Sequence, residues 1–181
     1  MGGKSPILEE TNQQKILLEK ILKKEKHNYK VFISMRYWKP FINETLINVM
    51  NWHPDEIILL PLYPQFSTTT SGSSLTSWKK EVDMKKYKVP TKIICCYPED
   101  KDFISAHVHE INKVLNIAKN KNKKKKDIRL LFSAHGLPEK IIKKGDPYQN
   151  QVEKTVSKVV DSLNNNEFLH TICYQSKVGP L

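Results

Sequence analysis

The sequence predicts an α/β protein whose core is a doubly wound parallel sheet. Short apolar runs typical of buried strands alternate along the chain with segments in which apolar residues recur at helical spacing. The chain has 181 residues, 39% of them hydrophobic, which is enough for one domain or for one domain and a part of another. Right-handed crossovers are expected between consecutive parallel strands.

Most of this alternation lies in the first two-thirds of the chain. The segment EIILLPL at residues 56–62 is a continuous apolar run, as expected of a strand buried on both faces, and Pro61 is expected to end its hydrogen-bonded ladder. Residues 104–118 form the cleanest amphipathic stripe. The predicted elements of this part are, in order, a helix over residues 6–26, a strand over 29–35, a helix around 42–50, a strand over 56–62, a helix around 75–82, a strand over 92–97 and a helix over 104–118.

The remaining part of the chain repeats the pattern after a basic segment. Six lysines lie within residues 119–126, which is the best candidate for a linker. We therefore place a domain boundary near Asp127, so that residues 1–126 form a first half and residues 127–181 the start of a second. The predicted elements of the second half are a strand over residues 128–132, a helix around 152–163 and a strand over 169–174.

The net charge of +11 does not indicate a nucleic-acid-binding protein. Only two of the 30 basic residues are arginines, Arg36 and Arg129, whereas base readout and bidentate phosphate contacts favour arginine. The lysines are scattered, and no helix-turn-helix, zinc-finger or RRM pattern is visible. A solvated surface that attracts anionic lipids or ligands is the expected reading. Because the chain uses lysine at every other basic position, we expect that lysine could not replace arginine at these two positions.

Cysteines and hydropathy point to a cytoplasmic protein. Cys95 and Cys96 are adjacent and would point to opposite faces of a strand, and Cys173 is the third cysteine, so no disulfide or zinc site is expected. No apolar run approaches the roughly 20 residues that a membrane span needs. The start of the sequence has no secretory hydrophobic region and is not rich in arginine like a transit peptide. Peripheral contact with a membrane surface stays open.

Clusters of aromatic, hydroxyl and charged residues follow the predicted strand ends. In the segment LLFSAHGLPEK, His135 follows a strand-forming run and precedes a turn at Gly136 and Pro138. Ligands bind at the carboxyl ends of parallel strands, and a histidine there can be a metal ligand or a base near neutral pH. A histidine that only caps the strand is the alternative. Together the clusters predict a pocket for a large, flat, partly apolar ligand that carries anionic groups.

Five motifs in this order and spacing resemble the ferrochelatase family: MRYWKPF, LPLYPQFSTTTSGSS, LFSAHGLP, GDPY and YQSKVGP. The resemblance runs over essentially the whole chain. It implies insertion of ferrous iron into protoporphyrin IX to form protohaem, on a fold of two Rossmann-like halves with the porphyrin in the cleft between them. A cobalt chelatase of the same superfamily is a less favoured alternative, because the SAHGLP and QSKVGP contexts favour iron and protoporphyrin.

The resemblance also implies site residues. His135 matches the family's active-site histidine, which ligates iron, accepts a pyrrole proton, or does both. Arg36 and Tyr37 match the RY pair of the pocket wall, and Tyr63, Ser67 and Thr69 fall on the loop that lines the same pocket. Ferrous iron is then a substrate and no cofactor is required. Animal members have a [2Fe–2S] cysteine where this chain has Thr68, so a cluster is not expected.

Departures from the family pattern bear on activity. Members begin with an additional strand and an LGGP-type loop, and they continue past Pro180 into a segment that carries a glutamate facing the histidine; the last acidic residue here is Glu167. We therefore expect the 181-residue chain by itself to be an inactive fragment. A non-catalytic remnant that binds tetrapyrrole or a partner is the alternative of a different class.

Overall fold

The computed structural model describes residues 5–120, 128–163 and 169–176. These residues form a mixed helix and strand architecture with short parallel sheets, which is the predicted α/β class in an incomplete form. The elements are α1 (Ile7–Leu22), α2 (Ile42–Trp52), β1 (Ile57–Leu59), α3 (Ser71–Met84), β2 (Thr91–Ile93), α4 (Lys101–Asn120), β3 (Arg129–His135), α5 (Glu139–Lys143), α6 (Tyr148–Ser162) and β4 (Leu169–Gln175). Short helix α5 is the one element in this series that the sequence did not predict.

The chain divides into two compact units. One consists of Met1–Ile58 and Ser73–Lys92, and the other of Leu59–Gly72 and Ile93–Leu181. This division differs from the boundary predicted near Asp127. That residue lies outside the described residues, so the assignment of residues 1–126 and 127–181 to two halves stays a prediction.

In the first unit, the predicted strand over residues 29–35 is wrong. These described residues form no strand beyond an isolated bridge between Met35 and Phe41. Side chains take the backbone groups that a neighbouring strand would otherwise bind. The N–H of Val31 donates to Glu19 Oε1 at 3.0 Å, and the carbonyl of Ile33 accepts the Thr45 hydroxyl at 2.8 Å.

Helices α1 and α2 of this unit were both predicted, but they differ in burial. Helix α2 buries Thr45, Leu46 and Val49 on one side, which is the packing that its apolar spacing indicates. Helix α1 buries none of its residues, and apolar side chains such as Leu17 and Ile21 are more than half exposed. The periodicity of α1 therefore indicated a helix correctly without indicating that its apolar side is covered.

Strands β1 and β2 are three residues each, shorter than the runs over 56–62 and 92–97 that predicted them. The N–H of Ile57 donates to the carbonyl of Pro90 at 2.8 Å, and the N–H of Ile94 donates to that of Leu59 at 2.9 Å, in a parallel pattern. Beyond Leu59 the regular ladder stops before Pro61, whose nitrogen cannot donate. The predicted end of this strand at the proline is close to the observed one.

The core of the second unit lies between a parallel strand pair and two helices. Strands β3 and β4 pair in register from Arg129 opposite Leu169 to His135 opposite Gln175. Helix α4 packs against α6. The centre of this core is built from Ile104, Val159 and Leu163, surrounded by Phe103, Val108, Ile111, Leu130 and Phe132. Both helices bury the apolar stripe from which they were predicted.

The four strands form two separate two-stranded sheets among the residues that the structure describes, β1 with β2 and β3 with β4. The described residues leave one face of the β3–β4 pair uncovered, and Leu131 and Leu169 on it are 65% and 57% exposed. Parallel sheets normally have both faces covered.

Within the described ranges, no helix combines the length and the apolar character that crossing a membrane requires.

Candidate functional site at the end of strand β3

His135 is the last residue of β3, three positions beyond the predicted strand end at Phe132. Its side chain is exposed, and its backbone lies opposite Gln175 of β4. The next residue, Gly136, donates its N–H to the carbonyl of Gln175 at 2.7 Å. A Cβ atom at Gly136 would lie 3.1 Å from that same oxygen, which is closer than most Cβ contacts in proteins. Glycine thus lets the chain leave the strand directly after the histidine.

A cavity of about 550 Å³ opens beside His135 within the second unit. This volume is within the range of small-molecule sites, about 300–1,000 Å³. Strand β3, helices α4 and α6 and the loop before α3 supply its walls. The lining is mostly apolar, with polar side chains from Gln65, His107, Ser133, His135, Tyr148 and Thr155. A predominantly apolar wall with a few polar groups is the usual composition of a ligand pocket.

Tyr148, the first residue of α6, lines the cavity and was not among the residues predicted from the sequence. Burial raises the pKa of this phenol above its ordinary value, against a smaller opposing effect of the His135 backbone. The pKa of Tyr174 is also raised, first by burial, then by the negative charge of Glu153 and by the charge that Tyr148 carries once it ionises. Both phenols are therefore neutral hydrogen-bonding groups near pH 7. The signal for Tyr148 was the GDPY motif, which had been noted only as a match.

The loop Ser67–Thr69, which carries three hydroxyl side chains, is bound by the carboxylate of Asp146. Its Oδ2 accepts hydrogen bonds from the Ser67 hydroxyl at 3.0 Å, the Thr68 N–H at 2.7 Å and the Thr68 hydroxyl at 2.6 Å. Its Oδ1 accepts the N–H of Tyr148 at 3.0 Å. Burial alone would raise the pKa of Asp146, but these four hydrogen bonds lower it below its ordinary value.

Two residues of α6 also hold this loop. Gln151 Oε1 accepts the N–H of Phe66 at 2.7 Å, and the Gln65 side-chain amide donates to the Thr155 hydroxyl at 2.9 Å. Thr155 in turn donates to the carbonyl of Pro98 at 2.7 Å. The first half of α6 thus forms one wall of the cavity and also anchors the neighbouring loop.

The predicted loop residues differ in what their side chains are free to do. Ser67 is completely buried, and its hydroxyl is engaged with Asp146 and, at 2.8 Å, with the hydroxyl of Thr69. Thr69 and Tyr63 are exposed. The porphyrin-binding role predicted for these three residues stays a prediction, and the hydrogen bonds of Ser67 indicate an indirect role in holding the loop.

Arg36 and Tyr37 belong to the first unit. The Nε of Arg36 donates to the Ser73 hydroxyl at 3.1 Å, and its guanidinium lies 4.7 Å from the centre of the Tyr37 ring. A guanidinium can donate from Nε and place its planar group near an aromatic ring at the same time, whereas lysine has a single ammonium group for both contacts. Tyr37 itself is 73% exposed, so its ring is accessible for contact with a flat ligand.

No group of three or more His, Cys, Asp and Glu side chains is placed to hold a metal ion in residues 5–120, 128–163 and 169–176. The three cysteines are free thiols.

The second unit thus has the features of an α/β ligand-binding protein, with a cavity and a histidine at the carboxyl end of a parallel strand. A family model described as ferrochelatase matches residues 1–181. The chain belongs to the ferrochelatase family.

Curated relatives support this assignment. A ferrochelatase of Wolbachia sp. subsp. Drosophila simulans (strain wRi) is 50% identical over 182 residues, which cover 100% of this chain and 56% of the relative. Those of Pelagibacter ubique (strain HTCC1062) and Rickettsia conorii (strain ATCC VR-613 / Malish 7) are 49% and 48% identical, with 51% and 50% of their lengths covered. The chain spans about half the length of the curated relatives it matches.

Proposed function

We propose that this chain contributes the histidine side of a ferrochelatase site, at which ferrous iron enters protoporphyrin IX. The observation that carries the proposal is the position of His135, which ends β3 beside a largely apolar cavity of about 550 Å³. The family assignment supports iron and a porphyrin as the substrates. The proposal concerns the whole protein, of which relatives have about twice this length.

The chemistry requires a group that handles protons next to the macrocycle. Free protoporphyrin carries two pyrrole N–H protons, and Fe²⁺ replaces both, so that two protons leave for each metal that enters. A neutral imidazole at His135 can accept one of these protons or bind Fe²⁺ on its way into the ring. Bending of the macrocycle exposes the nitrogen lone pairs, and contacts away from the nitrogens can supply that strain energy.

The remaining predicted residues would serve binding. The guanidinium of Arg36 suits a propionate, and the exposed rings of Tyr37 and Tyr63 suit the faces or edges of the macrocycle. Thr69 presents a hydroxyl on the loop held by Asp146. No cofactor is invoked, and Thr68 at the position of the animal cluster cysteine uses its hydroxyl within the protein. We place the protein in the cytoplasm, with peripheral contact to anionic lipid through its lysines as a part of the proposal.

Replacement of His135 by alanine tests the assignment. The chain would be joined to the remaining part of the Wolbachia relative, and iron insertion and protoporphyrin binding would be measured on the chimera. We expect His135→Ala to lower the insertion rate about 10²–10⁴-fold while protoporphyrin still binds, because loss of a positioned acid–base group has an effect of this size. His109→Ala is the matched control, since His109 is exposed on α4 and does not line the cavity.

The outcomes separate the alternatives. Near-normal turnover of the His135→Ala chimera would contradict the role of His135. If the chimera without any substitution binds protoporphyrin but inserts no metal, the result would favour a non-catalytic tetrapyrrole-binding remnant. Preference for Co²⁺ over Fe²⁺ in the same assay would favour a cobalt chelatase.

A further inference from the structure

We propose that Asp146 is a positioning residue of the tetrapyrrole site, which holds the loop Ser67–Thr69 against the start of α6 and thereby fixes Tyr148 beside His135. The inference rests on the proposed function for the identity of the ligand. It adds two residues, Asp146 and Tyr148, to those that the sequence and the family resemblance assign to the site.

The hydrogen bonds of Asp146 join two segments that are far apart in the chain. Three donors come from Ser67 and Thr68, 78–79 residues earlier, and the fourth is the N–H of Tyr148, two residues later. One carboxylate therefore fixes the hydroxyl loop and the first residue of a 15-residue helix at the same time. Because both segments reach the same carboxylate, movement of either one changes the geometry of the other.

An ionised carboxylate suits this position better than any neutral side chain. Asp146 is 8% exposed, and all four of its hydrogen-bonding partners are donors. Its charge also lies at the amino terminus of α6, where the helix dipole favours a negative group. An asparagine would offer one acceptor oxygen, and in either orientation its NH₂ group would face at least one of the donors.

Tyr148 links this arrangement to the cavity. Its backbone N–H is bound by Asp146, and its side chain lines the cavity together with His135. A phenol that stays neutral can donate a hydrogen bond to a propionate or present its ring edge to the macrocycle. A small displacement of α6 would move this phenol, and displacement of a binding group by about 1 Å can cost on the order of 10²-fold in rate.

The test compares Asp146→Asn with Asp161→Asn in the chimera with the Wolbachia relative. Asp161 is exposed on the same helix, so the control makes the same chemical change without the four hydrogen bonds. Protoporphyrin affinity is measured by fluorescence titration at a temperature where both variants are folded, and backbone amide exchange is measured by mass spectrometry. We expect Asp146→Asn to weaken protoporphyrin binding at least about tenfold and to speed exchange in residues 66–72, with exchange in α4 unchanged.

A second pair of variants applies if Asp146→Asn does not fold. Thr68 is exposed, but its hydroxyl donates to Asp146, so Thr68→Val removes one of the four bonds with little change of shape. Thr68→Val should weaken protoporphyrin binding and speed loop exchange to a smaller extent, whereas Thr68→Ser, which keeps the hydroxyl, should retain most of the affinity.

Tyr148→Phe tests the phenol separately. It should weaken binding without a change of loop exchange, because it removes only the phenolic hydroxyl.

Wild-type affinity and wild-type loop exchange in folded Asp146→Asn or Thr68→Val would overturn the proposal, as would faster loop exchange with unchanged affinity. If the unsubstituted chimera itself fails to bind protoporphyrin, the proposed function is wrong, and the exchange measurement still decides whether Asp146 holds the loop.

Discussion

Asp146 accepts both the backbone N–H and the side-chain hydroxyl of Thr68, at 2.7 and 2.6 Å. This double contact joins two of the sequence motifs, GDPY and LPLYPQFSTTTSGSS, within one compact unit. The contact gives the GDPY aspartate a physical role, since a carboxylate is needed where several donors converge. Thr68 is exposed as a residue, but its hydroxyl is engaged by this contact.

The hydrogen bond between Gln151 and Phe66 is expected to stabilise the second unit measurably. Gln151→Ala removes the acceptor of the Phe66 N–H and leaves that donor unsatisfied, which typically costs about 1–3 kcal/mol. The measurement is the free energy of unfolding in urea, made on the chimera with the Wolbachia relative. Gln149→Ala is the matched control, because Gln149 is exposed and bonds only to the exposed side chain of Glu153 among its described contacts. Equal stability of the two variants would contradict the prediction.

The stability of the chain should depend on acid through Asp146. Its pKa in the folded state is below the ordinary value because of the hydrogen bonds from Thr68, Tyr148 and Ser67, which outweigh the opposing effect of burial. A group with a lowered folded pKa stabilises fully above its unfolded pKa, about 3.9, and this stabilisation is lost as pH falls through the folded pKa.

Unfolding free energies of the wild type and Asp146→Asn, measured between about pH 6 and pH 2, would test this dependence. The wild type should lose more stability on acidification than the variant, which has no carboxyl group at this position to titrate. Identical pH dependence of the two proteins would show that the hydrogen bonds do not favour the ionised form.

Arg36→Lys should lower kcat/KM for protoporphyrin in the chimera with the Wolbachia relative. The Nε of Arg36 donates to the Ser73 hydroxyl while its guanidinium lies 4.7 Å from the centre of the Tyr37 ring, and the single ammonium group of lysine would not reproduce both contacts together. Arg129→Lys makes the same change at the other arginine, an exposed residue of β3 that is not assigned to the site, so the comparison separates an effect on the site from a general effect of replacing arginine by lysine. The role of the guanidinium would be refuted by steady-state kinetics in which both variants match the wild type.

The 181-residue chain alone should not catalyse insertion and should aggregate readily. Apolar side chains of the open strand face, Leu131 and Leu169, are 65% and 57% exposed, and exposed apolar strands promote association between molecules. The measurements are zinc and iron insertion by the purified chain, its thermal unfolding and its binding of a hydrophobic dye. Turnover above the uncatalysed rate together with a cooperative unfolding transition would contradict this expectation.

The sequence predicted helices more accurately than strands. The stripe over residues 104–118 and the spacing of Val152, Val156 and Val159 became α4 and α6, because each helix satisfies its own backbone and needs only one apolar side for packing. A strand depends on a partner elsewhere in the chain. The segment over residues 29–35 has strand-like residues, but Glu19 and Thr45 take two of its backbone groups.

The sequence by itself determined the α/β class, the order of the helices, the family and the position of His135 at a strand end, because periodicity and motif spacing are properties of neighbouring residues. Only the tertiary structure decided that Ser67 is buried, that Tyr148 lines the cavity and that Asp146 holds the loop. These features depend on atoms about 80 residues apart, which come within hydrogen-bonding distance only when the unit is packed, and no local pattern encodes that approach.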